Sequence, residues 1–284
     1  MRIDAHHHFW NSGRRDLAWL TQGREPIARS YGPTELEGEL RVAGVDRTVL
    51  VQASNTADET ERVLRAATMT EYVAGAVAWA PLHRPYETAT VLARCRTHPK
   101  FRGFRHVTTR DSDISWLLDK PAVASLRLIA QAGATFDVVP AGPEQLRTVI
   151  ALADRLPELD IVIDHLGRPP VHEHAWEPWA SLMEKAAMHP RIHVKVSVGF
   201  DLLNRGWQWS AERLRPYVEH TTTCFGPQRL MIASNWPVSL LGATYGEVWA
   251  TAAKLVAPLT MADRGAVLGG TAARFYHLDE KVHE

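Results

Sequence analysis

The chain has 284 residues, 45% of them apolar, with 32 Lys plus Arg against 32 Asp plus Glu. That length and apolar content suit one α/β barrel, and zero formal charge without a basic stripe excludes a nucleic-acid-binding surface. Cys95 and Cys224 are isolated, which excludes a disulfide framework, and no apolar run approaches the roughly 18 residues a membrane span needs.

The first predicted element is a strand over Ile3–Phe9. Simple alternation places Asp4, His6, His8 and Trp10 on one face and Ile3, Ala5, His7 and Phe9 on the other. His6 and His8 then stand about 7 Å apart along one wall, as metal ligands or proton carriers would. The His6–His8 run is short and lies inside a strand pattern, unlike a purification tag. Asp4 and these histidines occupy the place where a signal peptide needs an apolar core, so a soluble, cytoplasmic protein is expected.

Asn11–Gly32 reads as a covering loop anchored by Trp19 and Leu20, and Pro33–Val42 as a helix stopped by Gly44. Strands are then expected at Thr48–Gln52, Val73–Trp79, Phe101–Val107, Thr135–Val139, Ile161–His165, Ile192–Val198 and Arg229–Ala233. Helices alternate with them at Ala57–Tyr72, Tyr86–Arg96, Ser115–Gln131, Pro143–Leu156, Trp176–Met188 and Ala211–His220. Thr56 with Glu59, and Thr244 with Glu247, form capping-box patterns; the second opens a helix to about Val256. Helical pattern returns over Met261–Tyr276. About eight strand-then-helix units, with apolar strands and no Gly/Ser linker, predict a single (β/α)8 TIM-type barrel over 1–284. No G-x-G-x-x-G follows the first strand, which weighs against a dinucleotide-binding sheet.

Polar residues collect where these strands end: His8, Gln52, Trp79, Arg105 with His106, His165, Lys195 with Ser197, and Asn235 after the last strand. In a β/α barrel those ends meet at one face, where catalytic groups lie. Each has a plainer reading. His165 would cap the turn before Leu-Gly-Arg-Pro-Pro, Gln52 would tie loops, and Lys195 would be a surface residue after a one-residue slip. Arg105 is expected to face inward, with His106 on the packing side. Asp137 is equally a structural cap and is left outside the candidate site. His83, His98, His172, His174, His189 and His220 read as solvated loop or helix-end imidazoles; Trp176, Trp179, Trp207 and Trp209 either wall a pocket or pack.

Six stretches carry a resemblance in order: Ile-Asp-Ala-His-His-His-Phe-Trp (3–10), Val-Leu-Val-Gln-Ala (49–53), Arg-Gly-Phe-Arg-His-Val (102–107), Ile-Asp-His-Leu-Gly-Arg-Pro-Pro (163–170), Val-Lys-Val-Ser (194–197) and Ser-Asn-Trp-Pro-Val (234–238). Together they resemble the amidohydrolase superfamily, in the sugar-acid lactonase branch that includes L-fuconolactonase, L-rhamnonolactonase and, more distantly, 2-pyrone-4,6-dicarboxylate lactonase. The resemblance implies an amidohydrolase-like barrel that opens a lactone ring, with a small-molecule sugar lactone as partner and no nucleic acid or membrane. It implies catalytic roles for His6, His8, His165 and Asn235; Lys195 joins the catalytic candidates as a cation for the developing oxyanion, a charge Arg105 could also supply. Arg105, His106, Gln52, Trp79 and Trp236 are the candidate substrate contacts.

His6, His8 and His165 would supply three ligands of a zinc-like divalent ion, although metal-independent relatives leave that cofactor open. The family usually has Asp where this chain has Asn235, and often Gly where it has Val198. An amide is not a base, so a histidine activates water, the chemistry is shifted, or the substitution silences the site. Two rivals remain: a decarboxylase or hydratase of the same superfamily using Arg105 for a carboxylate, and a silent barrel that binds a sugar acid.

Overall fold

The computed structural model describes residues 1–17, 20, 25–108, 111, 113–171, 175–203 and 209–278. Trp19, His172, His174 and Trp207 therefore lie outside the described residues. An eight-stranded parallel sheet runs in chain order: β1 (Ile3–His7), β2 (Arg47–Val51), β3 (Val73–Ala78), β4 (Phe101–His106), β5 (Thr135–Val138), β6 (Ile161–Ile163), β7 (Ile192–Val196) and β8 (Leu230–Ile232). The residues after β8 return to β1. His7 and Trp236 form a parallel bridge, His8 N donates to Trp236 O (2.7 Å), and Asn235 N donates to His6 O (2.9 Å). The sheet closes into a (β/α)8 barrel, as the repeat predicted.

The helices are α1 (Pro33–Ala43), α2 (Ala57–Met69), α3 (Pro85–Cys95), α4 (Lys120–Gln131), α5 (Pro143–Arg155), α6 (Trp179–Ala187), α7 (Phe200–Leu203), α8 (Ala211–Phe225), α9 (Tyr245–Val256), α10 (Met261–Gly265) and α11 (Thr271–Phe275). Proline in the first turn opens α1, α3, α4 and α5, where its missing N–H has no intrahelical acceptor to lose. The helix expected over Ser115–Gln131 is broken: a 3₁₀ turn at Ser115–Leu118 ends in extended Asp119, and α4 restarts with Pro121 in its first turn. The closing helical stretch is likewise divided, because Gly269 is extended where a Cβ would lie 2.6 Å from Met1 O. Thr244 and Glu247 complete their capping box, whereas Glu59 turns its carboxylate to Ala53 N (2.8 Å) and leaves only Thr56 capping α2. Among the described residues, no helix is long and apolar enough to cross a membrane.

Two apolar layers hold the barrel. Ile3, Ala5, Val49, Val51, Val77, Val162, Met231 and Ala233 pack together inside it, with Ala272, Phe275 and Tyr276 at its floor. Leu50, Phe104, Phe136, Ile163, Val194 and Ile232 face outward beneath the helices. One departure from simple alternation matters for the site. The β1–β2 register shifts between Asp4 and His7, a β-bulge that places Asp4 and His7 outside the lumen while Ala5 and His6 both serve the inside. Asp4 accordingly accepts from Ser234 N (2.9 Å), Ser234 Oγ (2.6 Å) and Tyr245 OH (3.0 Å), clasping β1 to the β8 end and α9. The expected shared face of Asp4, His6 and His8 is thus corrected: the extra residue of the bulge turns the chain over between Asp4 and His6.

Candidate active site

Inside the strand ends lies a buried, charge-balanced quartet. Lys195 Nζ donates to Asp137 Oδ2 (2.6 Å) and stands 3.1 Å from Asp164 Oδ1, and Arg105 Nε donates to Asp164 Oδ2 (2.8 Å). All three acid and lysine side chains are fully buried, and Arg105 is 5% exposed. Two cations against two carboxylates leave no net charge in the lumen, the condition on which such groups tolerate burial. Tyr276 OH, rising from the floor, donates to the same Asp137 Oδ2 (2.7 Å). Lys195, Arg105 and His6 hold the Asp164 carboxyl well below the usual carboxylate range against the opposing pull of burial. Burial, against the Lys195 charge, holds Asp137 above it.

The imidazoles stand around this quartet. Lys195 Nζ lies 3.0 Å from His6 Nδ1, His6 Nε2 lies 3.1 Å from His8 Nε2, and His8 Nδ1 lies 2.8 Å from Val51 O. A carbonyl only accepts, so His8 carries its proton on Nδ1 and offers a lone pair at Nε2. An ammonium only donates, so His6 Nδ1 accepts and the His6 proton sits on Nε2, aimed at His8. The ring centre of His165 is 5.0 Å from that of His6, and its Nδ1 is 2.7 Å from Ser197 Oγ. Burial holds His6 and His8 well below their ordinary pKa and pushes His165 down to about 3, so all three are neutral near pH 7.

His165 opens a left-handed turn in which His165, Leu166, Gly167 and Arg168 have φ of 55°, 54°, 66° and 55°. Each non-glycine residue held there costs about 1–2 kcal/mol, a strain that characteristically gathers at working sites. Gly167 is the position that fits without penalty, and a Cβ on it would stand 3.0 Å from Met183 Sδ. Gly167→Ala is expected to lower stability by about 1–3 kcal/mol, measured as a loss in urea midpoint at unchanged slope.

Asn235, after β8 and also left-handed at φ 55°, sends Nδ2 to Val198 O (2.9 Å). Asparagine is among the few side chains that adopt this backbone region readily. Gln52 braces Arg105 from both sides: its Nε2 donates to Arg105 O (3.0 Å), and its backbone carbonyl accepts from Arg105 Nη1 (3.1 Å). The predicted residues His6, His8, His165, Lys195, Arg105 and Gln52 therefore meet in one constellation, with Asn235 joined to it through the His6 backbone.

Three other predicted residues stand apart. Trp236 is buried in the barrel seam against Phe9 and Tyr31. Trp79 and His106 line a crevice of about 420 Å³ between α2 and α3, together with Leu82, His83 and Arg84. Among the described residues, His106 is linked to the site by side-chain hydrogen bonds through Asn55, which bonds Gln52. Trp176 and Trp179 pack on His220 and Tyr217. Asp164, beside His165 on an apolar strand, and Asp137 join the site although neither is among the predicted residues; a carboxylate among buried apolar neighbours is the signal that finds both. Tyr276 carries no local signal.

Burial also sets an acid limit. His7 is pushed down to about 3 and His106 to about 4, chiefly by desolvation. Their folded values lie below the unfolded value, so the unfolded chain binds more protons below about pH 6.5. Stability is complete above that pH and is lost as pH falls, by up to about 1.4 kcal/mol per pH unit for each histidine. Urea midpoints should hold from pH 7.5 to about 6.5 and fall from there to pH 4.5; a flat profile contradicts the buried neutral assignment.

The family model described as amidohydrolase matches residues 3–278. This chain belongs to the amidohydrolase family. It is 35% identical over 285 residues to an L-fucono-1,5-lactonase of Burkholderia ambifaria, covering 98% of this chain and 96% of that protein. A crystal structure of a Burkholderia multivorans amidohydrolase with bound HEPES superposes with TM-score 0.91 at 31% identity, covering 98% and 99% of the two chains. A crystal structure from the same organism with bound zinc gives TM-score 0.89 at 30% identity over the same shares.

Proposed function

We propose that this protein hydrolyses the lactone of a sugar acid, with L-fucono-1,5-lactone the first compound to try. The observation that carries the reading is the meeting of neutral imidazoles with a fixed guanidinium at the strand ends, in a chain similar throughout to an L-fucono-1,5-lactonase.

The bond between His165 Nδ1 and Ser197 Oγ steadies the ring, and in the tautomer with Nδ1–H donating to Ser197 Oγ, His165 keeps the Nε2 lone pair for a proton. Water attacks the ring carbonyl carbon while His165 takes one of its protons. The ring C–O bond then breaks, and the proton passes to the departing alkoxide oxygen. The product hydroxy acid ionises and releases one proton to solvent.

Developing negative charge on the carbonyl oxygen needs a fixed cation. Lys195 already spends N–H bonds on Asp137 and His6 and pairs its charge with Asp164 at 3.1 Å. Arg105 spends Nε and Nη1 on Asp164 and Gln52, and Nη2 has no hydrogen bond to the described residues, so Arg105 is the oxyanion partner and Lys195 the positioning residue.

The donor set also fits a divalent, nitrogen-preferring ion. The Nε2 atoms of His6 and His8 lie 3.1 Å apart, and Asp164 Oδ1 is buried without an aligned hydrogen bond. His6 and His8 would hold the ion through Nε2, with Asp164 and His165 clustered beside His6 and the His165 Nε2 lone pair kept for the water proton; when bound, the ion would supply Lewis acidity toward the carbonyl and the water.

The test is proton release across a panel of sugar lactones, with and without added zinc. Turnover of none removes the reading. Asn235→Asp separates a silent barrel from a working one. The carboxylate cannot donate to Val198 O, so a stability loss of about 1–3 kcal/mol without a gain in turnover is expected. A gain of tenfold or more would show that the present chain lacks its base.

A further inference from the structure

His6 Nδ1 has two suitors: the ammonium of Lys195 at 3.0 Å and the carboxylate of Asp164, whose Oδ1 lies at 3.3 Å. They demand opposite things of the ring. Lys195 can only donate, which forces the proton of a neutral His6 to Nε2, against His8. Asp164 can only accept, which requires that proton on Nδ1 and leaves Nε2 bare. In the structure the Lys195 bond is aligned, and Asp164 Oδ1 has no aligned donor although it is fully buried. The arrangement thus holds one hydrogen-bond state and keeps the acceptor of the other in place.

We propose that Lys195 and Asp164 compete for His6 Nδ1 and thereby decide whether His6 and His8 hold a zinc-like cation. A cation on the Nε2 side needs lone pairs on both imidazoles. His8 supplies one already, because its proton is committed to Val51 O. His6 must exchange its hydrogen bond: the ring loses the Nε2 proton and gains one at Nδ1, which then donates to Asp164. The imidazole stays neutral and no net proton is released. Lys195 opposes this exchange, since its N–H would then face another N–H. Asp137 and Tyr276 strengthen that opposition by anchoring the ammonium from the floor. Arg105, on Asp164 Oδ2, keeps the competing carboxylate ionised and oriented. Such partners of a metal-binding histidine change affinity by about 10–100-fold.

The proposal rests on the cation reading above and does not depend on the substrate. Zinc-stripped wild type, Asp164→Asn and the double variant Asp137→Asn with Lys195→Met are titrated with zinc by calorimetry under chelator competition. The double variant removes one charge of each sign, so it keeps the lumen neutral and carries the test even where Asp164→Asn folds poorly. It should bind zinc at least about tenfold more tightly than wild type, and Asp164→Asn at least about tenfold more weakly. Nitrogen-15 shifts of His6 should place its proton on Nε2 in the stripped wild type and on Nδ1 with zinc. Equal affinities, zinc binding to none of the three, or a proton on Nδ1 before zinc is added would each overturn the proposal. Lactone turnover of the stripped wild type, measured alongside, reports separately on the hydrolytic reading.

Discussion

Lys195→Ala is expected to destabilise the fold by about 3–5 kcal/mol, because it leaves Asp137 and Asp164 buried with one cation between them. The size of the effect comes from the orphaned charge more than from the lost contact. Adding Asp137→Asn to the same chain should therefore return more than half of the loss. Asparagine keeps an acceptor for Tyr276 OH and restores a single Arg105–Asp164 pair. Urea unfolding of both single variants and the double variant closes the cycle. Additive losses would contradict a quartet held by charge balance.

His165→Ala should lower kcat for the lactone by about 10²–10⁴ while KM changes little, since the proton acceptor acts in the transition state rather than in binding. Fold stability should fall modestly, by about 1–3 kcal/mol, because alanine keeps a Cβ at φ 55°, where histidine is better tolerated, and leaves Ser197 Oγ without its buried partner. Ser197→Ala releases Nδ1 and should lower kcat by a smaller factor, as loss of an orienting hydrogen bond does. Steady-state kinetics with a pH indicator, beside thermal melts, separates the two roles. Equal activity in His165→Ala would assign the proton transfer to another group.

The barrel was legible because parallel strands buried on both faces read as apolar runs, and the eight of them return at regular spacing. Strand-end polarity likewise led to His8, Arg105 and His165. The bulge in β1 was not legible: alternation alone puts Asp4 beside His6, and only the β2 register shows the inserted residue. Trp79 and His106 share the strand-end signal with Arg105, yet Trp79 follows β3 and His106 alternates with Arg105 on β4, so both line the crevice behind the wall, as expected for His106. Asp137 was ambiguous because a lone carboxylate on a strand also caps, and its partner Tyr276 is 139 residues away. Pairings of that range leave no local pattern. Asn235 was read as a missing base; its amide has a structural use in the bond to Val198, the other position where this chain departs from the resemblance.

The most direct measurement is a crystal structure with an aldonic acid, the product of lactone opening. Its carboxylate should lie within hydrogen-bond distance of Arg105 Nη2 and of His165, with its hydroxyls directed away from Lys195. An acid seated instead in the crevice of Trp79 and His106, with the His6–His8 region empty of ligand, would contradict the account.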